Sequence, residues 1–339
     1  MKKVRVLALV HKHLVPPEDA AGTDVGNAAW KMEFDVVATL REHGHEVKVL
    51  GVHDDLAAIR PSIEEFKPDI VFNLLEAFAD VNTFDQNVVS YLELLRVPYT
   101  GCNPRGLMLA RDKSLSKKLL AYHRIPVPEY TVVRRGRKPT LSKRLRFPLI
   151  VKSLFYDASA GISQASVVAN EEQLARRVQF IHDSLGTGAI VEAFIDGREL
   201  YVGVAGNERL QVFPVWEMSF SKMPENTWRI ATERVKWSTK YQKRHGIETG
   251  EAKLPQDLAD RIRHVAGRAY RALDLSGYAR VDLRLDAEGR PFVIEANPNP
   301  QLANGEDFAE SAQRASISYA QLLERILALG LRWEPERTG

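Results

Sequence analysis

Residues 277–300 read GYARVDLRLDAEGRPFVIEANPNP. Two runs of alternating apolar and polar residues flank a Glu-Gly pair, which is the pattern of a β-hairpin. In the first run Val281, Leu283 and Leu285 alternate with Arg280, Asp282 and Arg284; in the second Phe292, Ile294 and Ala296 alternate with Val293, Glu295 and Asn297. A two-residue loop at Glu288-Gly289 pairs Asp282 with Glu295 and Arg280 with Asn297, and puts all six apolar residues on one core face. A three-residue loop with a bulge at Gly289 slips that pairing by one. Opposed carboxylates cost a sheet a few tenths to about 1 kcal/mol. A bound dication reverses the sign, and two carboxylates with an amide oxygen are hard donors suited to Mg²⁺. A metal–phosphate site is one reading of the hairpin. Neutralisation of the pair by Arg280 and Arg284 is the other.

The rest of the chain is ordinary in bulk. Its 339 residues suffice for two or three domains at roughly 100–200 residues each. A net charge of +3 is too small to point to nucleic acid or a membrane surface. The single cysteine, Cys102, excludes an internal disulfide and reads as a small buried side chain. The opening MKKVRVLALVHKHLV imitates a signal peptide, but Arg5 interrupts the apolar run and no small-residue cleavage site precedes Pro16. Residues 4–10 read instead as a first β-strand. No apolar stretch approaches the roughly 20 residues that span a bilayer. A cytoplasmic protein is expected.

Residues 1–102 alternate strands and helices, an α/β pattern that implies a mostly parallel sheet. Trp30, Phe34, Val37 and Leu40 mark one helix face, and residues 97–101, VPYTG, close the unit as a short strand. Ligands of such sheets lie beyond the carboxyl ends of the strands, after Val10 and after Leu75. A long helix runs from Asn103-Pro104 towards His123 and carries Lys113. Residues 147–154, FPLIVKSL, form a strand with Lys152 near its end, and residues 189–206 read as two strands around an Asp-Gly turn. Residues 219–254 are polar, cationic and irregular, in the manner of a lid or a solvated linker. A final helix is expected near residues 315–329. His11 and His13 alternate as metal ligands can, but no third ligand is evident nearby. Trp216, Trp228 and Trp237 either line a pocket or pack the lid.

The hairpin resembles the metal-binding hairpin of D-alanine–D-alanine ligases and related ATP-grasp enzymes. The likeness extends through VPYTGCNPRGLMLARDKSLSKKLLAYHRIPVPEY and through SISYAQLLERIL near the end, reaching from about residue 69 to 329. It implies a Rossmann-like N-terminal domain, residues 1–102, followed by an ATP-grasp fold of two α+β subdomains, 103–188 and 189–330. It implies further that Asp282, Glu295 and Asn297 hold two Mg²⁺ ions, with Mn²⁺ as a substitute, and that Arg280 steadies the transferred phosphoryl group. Lys113 and Lys152 match the lysines on the ATP phosphates, and Lys236 resembles one that closes over them. Taken alone, each is a surface lysine. Ser159 and Gly161 fall in the family's small-residue phosphate loop. Glu192, with the backbone at Phe194 and Ile195, matches the adenine hinge, and Glu199 the ribose contact; alone these are an ordinary hairpin with surface glutamates.

The implied chemistry joins a carboxylate to an amine through an acyl phosphate, with ATP converted to ADP and phosphate. The partners are small molecules, and the relatives' habit of pairing carries over a homodimer. The substrate positions depart from the family. Glu76 and Ala77 stand in place of a His-Gly pair, the glycine-rich first loop is absent, and Gln301 and Glu306 stand where the family has Gly and a carboxylate-holding Ser. An acidic side chain disfavours a carboxylate ligand, so D-alanyl-D-alanine is not the expected product. Glu306 reads equally as a solvated carboxylate at a helix start. A ligase acting on a peptide and a nucleotide-binding regulator without ligase activity are the alternatives; a regulator has no use for Arg280.

Overall fold

The computed structural model describes residues 2–156 and 161–334. The first sheet is built on β1 (Arg5–His11), whose residues Val6 to Val10 are fully buried. A strand apolar on both faces belongs in the middle of a parallel sheet. It lies between β2 (Glu46–Val52) and β3 (Ile70–Asn73), parallel to both. The strand expected at residues 97–101 is only a single bridge between Val71 and Tyr99, since Pro98 has no N–H to extend a ladder. The helix Lys31–Glu42 buries Met32, Glu33, Val36, Val37 and Leu40, and Trp30 and Phe34 stay half-buried at its edge.

The helix expected from Asn103 to His123 breaks at Asp112. That residue is extended (φ −86°, ψ 100°), and its carboxylate accepts the N–H groups of Ser114 and Leu115. Two helices result, Pro104–Arg111, capped by Asn103, and Lys113–Tyr122. The break sets Lys113 at a helix N-terminus.

Two antiparallel sheets follow. One contains β4 (Tyr130–Val133), β5 (Leu149–Ser153), β6 (Val167–Val168) and β7 (Ala189–Ala193) in the order β4-β7-β5-β6. The other contains β8 (Arg198–Ala205), β9 (Gln211–Phe220), β10 (Ile247–Glu251), β11 (Tyr278–Leu285) and β12 (Pro291–Pro298) in the order β10-β9-β8-β11-β12. Residues 189–206 are therefore no hairpin, because β7 and β8 belong to different sheets. Gly197 makes the crossing possible: at φ +150°, a Cβ there would stand 2.0 Å from the Leu285 carbonyl oxygen. The cationic stretch 219–254 is more regular than expected. Its ends pair as β9 and β10, and two short helices, Glu233–Trp237 and Thr239–His245, lie between them.

The hairpin keeps its expected pairing by an unexpected route. Its loop has three residues: Gly289 (φ +73°) donates its N–H to the Asp286 carbonyl, and Asp286 donates to Arg290. That slips the register by one, so Leu283 faces Val293 and Arg284 faces Phe292. A bulge between Asp282 and Leu283 on the partner strand, at Ile294, slips it back, and Asp282 faces Glu295 and Arg280 faces Asn297. The core face consequently carries Val293 and Ala296 with Val281, Leu283 and Leu285, while Phe292 and Ile294 leave it.

The helix Gln256–Ala272 covers the third sheet with Ile262, Val265, Ala266, Ala269 and Tyr270. The C-terminal region forms two helices, Asp307–Arg314 and Tyr319–Gly330, where one was expected. A capping box of Ser318 and Gln321 starts the second. Its Leu322, Leu323, Ile326 and Leu327 return to the first sheet and cover Val6, Val10, Ile70 and Phe72.

Candidate active site

A cleft of about 810 Å³, its open mouth included, lies between the two antiparallel sheets. Alternation on the strands selects its walls. Ile150 pairs with Glu192 across β5 and β7, and Lys152 lies two residues along on the same face. Opposite, Asp282 pairs with Tyr201 and Arg284 with Glu199 across β11 and β8. Ile150, Ile162, Phe194, Ile195, Ile230 and Ile294 supply an apolar slot. The lid stretch is docked on it: the Gln164 side-chain amide holds Trp228 at both its N–H (2.8 Å) and its carbonyl (2.9 Å), and Trp228 packs edge-on against Phe194. Trp216 instead packs under the lid with Tyr201, Met218 and Val235. The Trp237 side chain lies outside the described residues.

At one end of the slot the cleft is polar. Glu192 is buried between two ammonium groups, each 3.1 Å away: Lys152 on Oε2 and Lys117 on Oε1. The Lys117 contact is off hydrogen-bond alignment, which leaves Oε1 without a hydrogen bond. Lys117 donates instead to the Ile294 carbonyl at 3.0 Å. Burial pushes the Glu192 carboxyl up, but the two ammoniums outweigh it and hold it below its ordinary value. The same burial, with Lys152 nearby, pulls Lys117 down. Lys113 donates to the Tyr156 carbonyl (3.0 Å) and stands 3.7 Å from Glu295.

Arg280 grips Asp282 with both arms of its fork, at 2.7 and 2.9 Å, and lies over the Tyr201 ring. The Asn297 amide donates to Asp282 at 3.0 Å and reaches Glu295 at 3.5 Å. Burial raises the Asp282 carboxyl despite Arg280, and the Glu295 charge adds to the rise. Glu295 goes the other way: burial is overcome by Lys113, Lys236 and Lys152, which hold it low. Arg284 does not neutralise the pair. It donates to Glu199 (3.0 Å), to the Ile195 carbonyl (3.1 Å) and to the Arg229 carbonyl (2.9 Å), joining hinge, sheet and lid. The donor set of Asp282, Glu295 and Asn297 fits a hard dication. The buried Asp282 and the half-buried Glu295 face each other, and the amide needs only to turn over to present its oxygen in place of its NH₂.

The fold thus brings together Lys113, Lys152, Glu192, Phe194, Ile195, Glu199, Lys236, Asp282 and Glu295 on one cleft, with Arg280 and Asn297 hydrogen-bonded to Asp282. Two backbone groups of the expected hinge are already used, the Phe194 N–H by the Pro148 carbonyl and the Ile195 carbonyl by Arg284. Gly161, at φ +68°, offers its carbonyl to the buried Arg177. Ser159 lies outside the described residues. Glu76, Gln301 and Glu306 are exposed and do not line the cleft, and Glu306 stands at the start of the helix Asp307–Arg314. Lys117 was not singled out from the sequence, though it follows Lys113 by four residues and so shares its helix face.

Two antiparallel sheets closing on a cleft, behind a parallel N-terminal sheet, define the ATP-grasp class of proteins. Within it the chain belongs to the D-alanine–D-alanine ligase family: residues 119–328 match the model of the D-ala D-ala ligase C-terminus. It is 31% identical to the D-alanine–D-alanine ligase of Desulforudis audaxviator over 297 residues, 87% of this chain and 90% of that one. It is 34% identical to an uncharacterized protein of Sinorhizobium fredii, y4sG, over 305 residues, 88% of this chain and 86% of that one. The crystal structure of D-alanine–D-alanine ligase from Bacillus anthracis complexed with ATP shares the fold, with a TM-score of 0.73 at 22% identity over 97% of this chain and 98% of that one.

Proposed function

We propose that this protein is an ATP-dependent ligase that joins a small-molecule carboxylate to an amine through an acyl phosphate. The observation that carries the reading is that Asp282 and Glu295, with Arg280 and Asn297 hydrogen-bonded to Asp282, share one cleft with Lys113, Lys152 and Lys236 beside an apolar slot. Adenine fills the slot between Ile150, Phe194 and Ile294, with Glu192 and Glu199 at its edges. Lys113, Lys152 and Lys236 hold the phosphates in line, and Arg280, held by Asp282 along its Nε–Nη2 edge, offers its remaining N–H groups to the phosphoryl group in flight. Asp282, Glu295 and Asn297 would hold Mg²⁺, or Mn²⁺ in its place, and such an ion supplies charge neutralisation to the reacting phosphates. The γ-phosphoryl passes to the carboxylate and ADP departs; the amine then attacks the acyl carbon and phosphate leaves with the carboxylate oxygen. The docked lid, Ile230 to Lys236, keeps water from the acyl phosphate.

The same reading divides the chain near residues 102 and 188 and places it in the cytoplasm as a homodimer. Among the described residues no helix is long and apolar enough to cross a membrane. The acceptor differs from D-alanine, because Glu306 stands where the family holds a carboxylate with Ser, and Glu76 and Gln301 replace the family's His and Gly. Phosphate and ADP release, measured over pairs of carboxylates and amines, tests both statements. Release that needs both substrates supports a ligase, and release that ignores the second substrate overturns it. Strong turnover with D-alanine alone overturns the altered acceptor.

A further inference from the structure

We infer that His11, His53 and Asp80 form a transition-metal site, separate from the acidic pair on β11 and β12. His11 ends β1, and its parallel register with Val52 brings the next residue, His53, alongside. His11 Nε2 lies 3.1 Å from His53 Nδ1. Asp80 arrives from the loop after β3, one carboxylate oxygen 3.6 Å from His11 Nε2 and the other 3.8 Å from His53 Nε2. One ligand atom from each of the three residues lies within 4.8 Å of the others, a spread that small side-chain rotations close onto one ion. His13 stacks beside both histidines, with ring centroids 5.3 and 5.7 Å away.

The backbone is shaped to deliver Asp80. Phe78 and Val81 exchange N–H···O bonds around a tight turn whose two central residues, Ala79 (φ 51°) and Asp80 (φ 58°), are both left-handed. Neither is glycine, and a non-glycine residue held at positive φ is strained. The turn is tied to the cluster, because the Ala79 N–H donates to the His53 carbonyl at 2.8 Å. The three residues thus gather at the carboxyl ends of parallel strands, where sheets of this kind place ligands. None of the three lines the ATP-grasp cleft.

Two imidazoles and one carboxylate select a borderline first-row ion such as Zn²⁺ over Mg²⁺, which prefers all-oxygen shells. Three protein ligands leave a position for water or a substrate donor. Without an ion, the same atoms form only a hydrogen-bonded chain in which His11 Nδ1 meets the His13 N–H at 3.4 Å and His11 Nε2 faces His53. The His13 contact is at the long limit of a hydrogen bond, whereas the His11–His53 contact, at 3.1 Å, is of ordinary length and is exchanged for bonds to the ion.

The test uses full-length protein stripped with a chelator, with excess Mg²⁺ present to occupy the oxygen-donor pair. Zn²⁺ is titrated calorimetrically and Co²⁺ is followed by its visible spectrum. One equivalent is expected, with Co²⁺ bands of mixed nitrogen and oxygen coordination. Loss of even a ligand's supporting partner weakens metal binding about 10- to 100-fold, so His53→Ala and His11→Ala should weaken it at least about 100-fold. Asp80→Asn, at an exposed side chain, keeps the test readable if a histidine variant fails to fold. Wild-type binding no tighter than that of the His11→Ala/His53→Ala double variant overturns the site. So does unchanged binding in Asp80→Asn together with either single histidine variant; the cluster is then the hydrogen-bonded chain alone.

Discussion

Glu33 is 1% exposed, and neither carboxylate oxygen has a hydrogen-bond partner in another of the described residues. Burial pushes the group up from 4.5 to about 7, and the nearby Glu76 charge adds to the rise. An acid raised in this way favours its protonated form in the folded state. Its contribution to stability is full below pH 4.5 and is lost as the pH climbs through 7. The neutral isostere Glu33→Gln therefore stabilises the protein above pH 7, by about 3 kcal/mol at most, and makes little difference near pH 4.5. Urea denaturation at the two pH values measures this, and equal gains at both would contradict it. Lys117 carries the opposite expectation. Lys117→Met removes one of the two ammoniums beside the buried Glu192 charge and the donor to the Ile294 carbonyl, which costs about 2 kcal/mol of stability. The effect of Glu192→Gln in that background should be smaller than in wild type, since the two residues share one network.

At the level of elements, the hairpin shows how two local irregularities cancel. A three-residue loop and a bulge each move the register by one, in opposite senses, and the carboxylates end up opposed. Deleting Ile294 removes the bulge, after which Val293, Glu295 and Ala296 alternate without interruption and Asp282 still faces Glu295. What is lost is the Ile294 wall of the slot and the carbonyl that holds Lys117. Nucleotide binding to the deletion variant should weaken about tenfold, the worth of one hydrogen bond to a charged donor, and should keep its dependence on magnesium. Calorimetric titration with and without magnesium reads both. Binding that no longer responds to magnesium would mean that the bulge sets the register.

Across the whole molecule, the last helix belongs to the first sheet. Tyr319–Gly330 packs its leucines on Val6, Ile70 and Phe72, some 250 residues or more away in sequence. A chain ending before Ser318 exposes that apolar face. It should bind a hydrophobic dye and lose a single cooperative unfolding transition, whereas normal cooperativity would show that the helix is dispensable. The helix therefore ties the first sheet to the C-terminal region, and the two are not independent in stability.

The alternation of β11 and β12, the cap at Asn103 and the buried run of β1 were legible because each rests on contacts within a few residues. The hairpin motif and the family's lysines then located most of the cleft. Other features depended on packing between distant segments. Phe292 and Ile294 left the core because a bulge was accommodated there, and the strands of residues 189–206 parted because each found a sheet of its own. Asp112 broke the stretch from Asn103 to His123 that was expected as one helix. His11 met its partners only when parallel strands aligned His53 and a strained turn presented Asp80. Periodicity and turn chemistry are properties of neighbours along the chain, and the sequence by itself determined what they govern. Register shifts, sheet membership and a three-ligand cluster are set by which distant surfaces bury one another, and only the tertiary structure decided those.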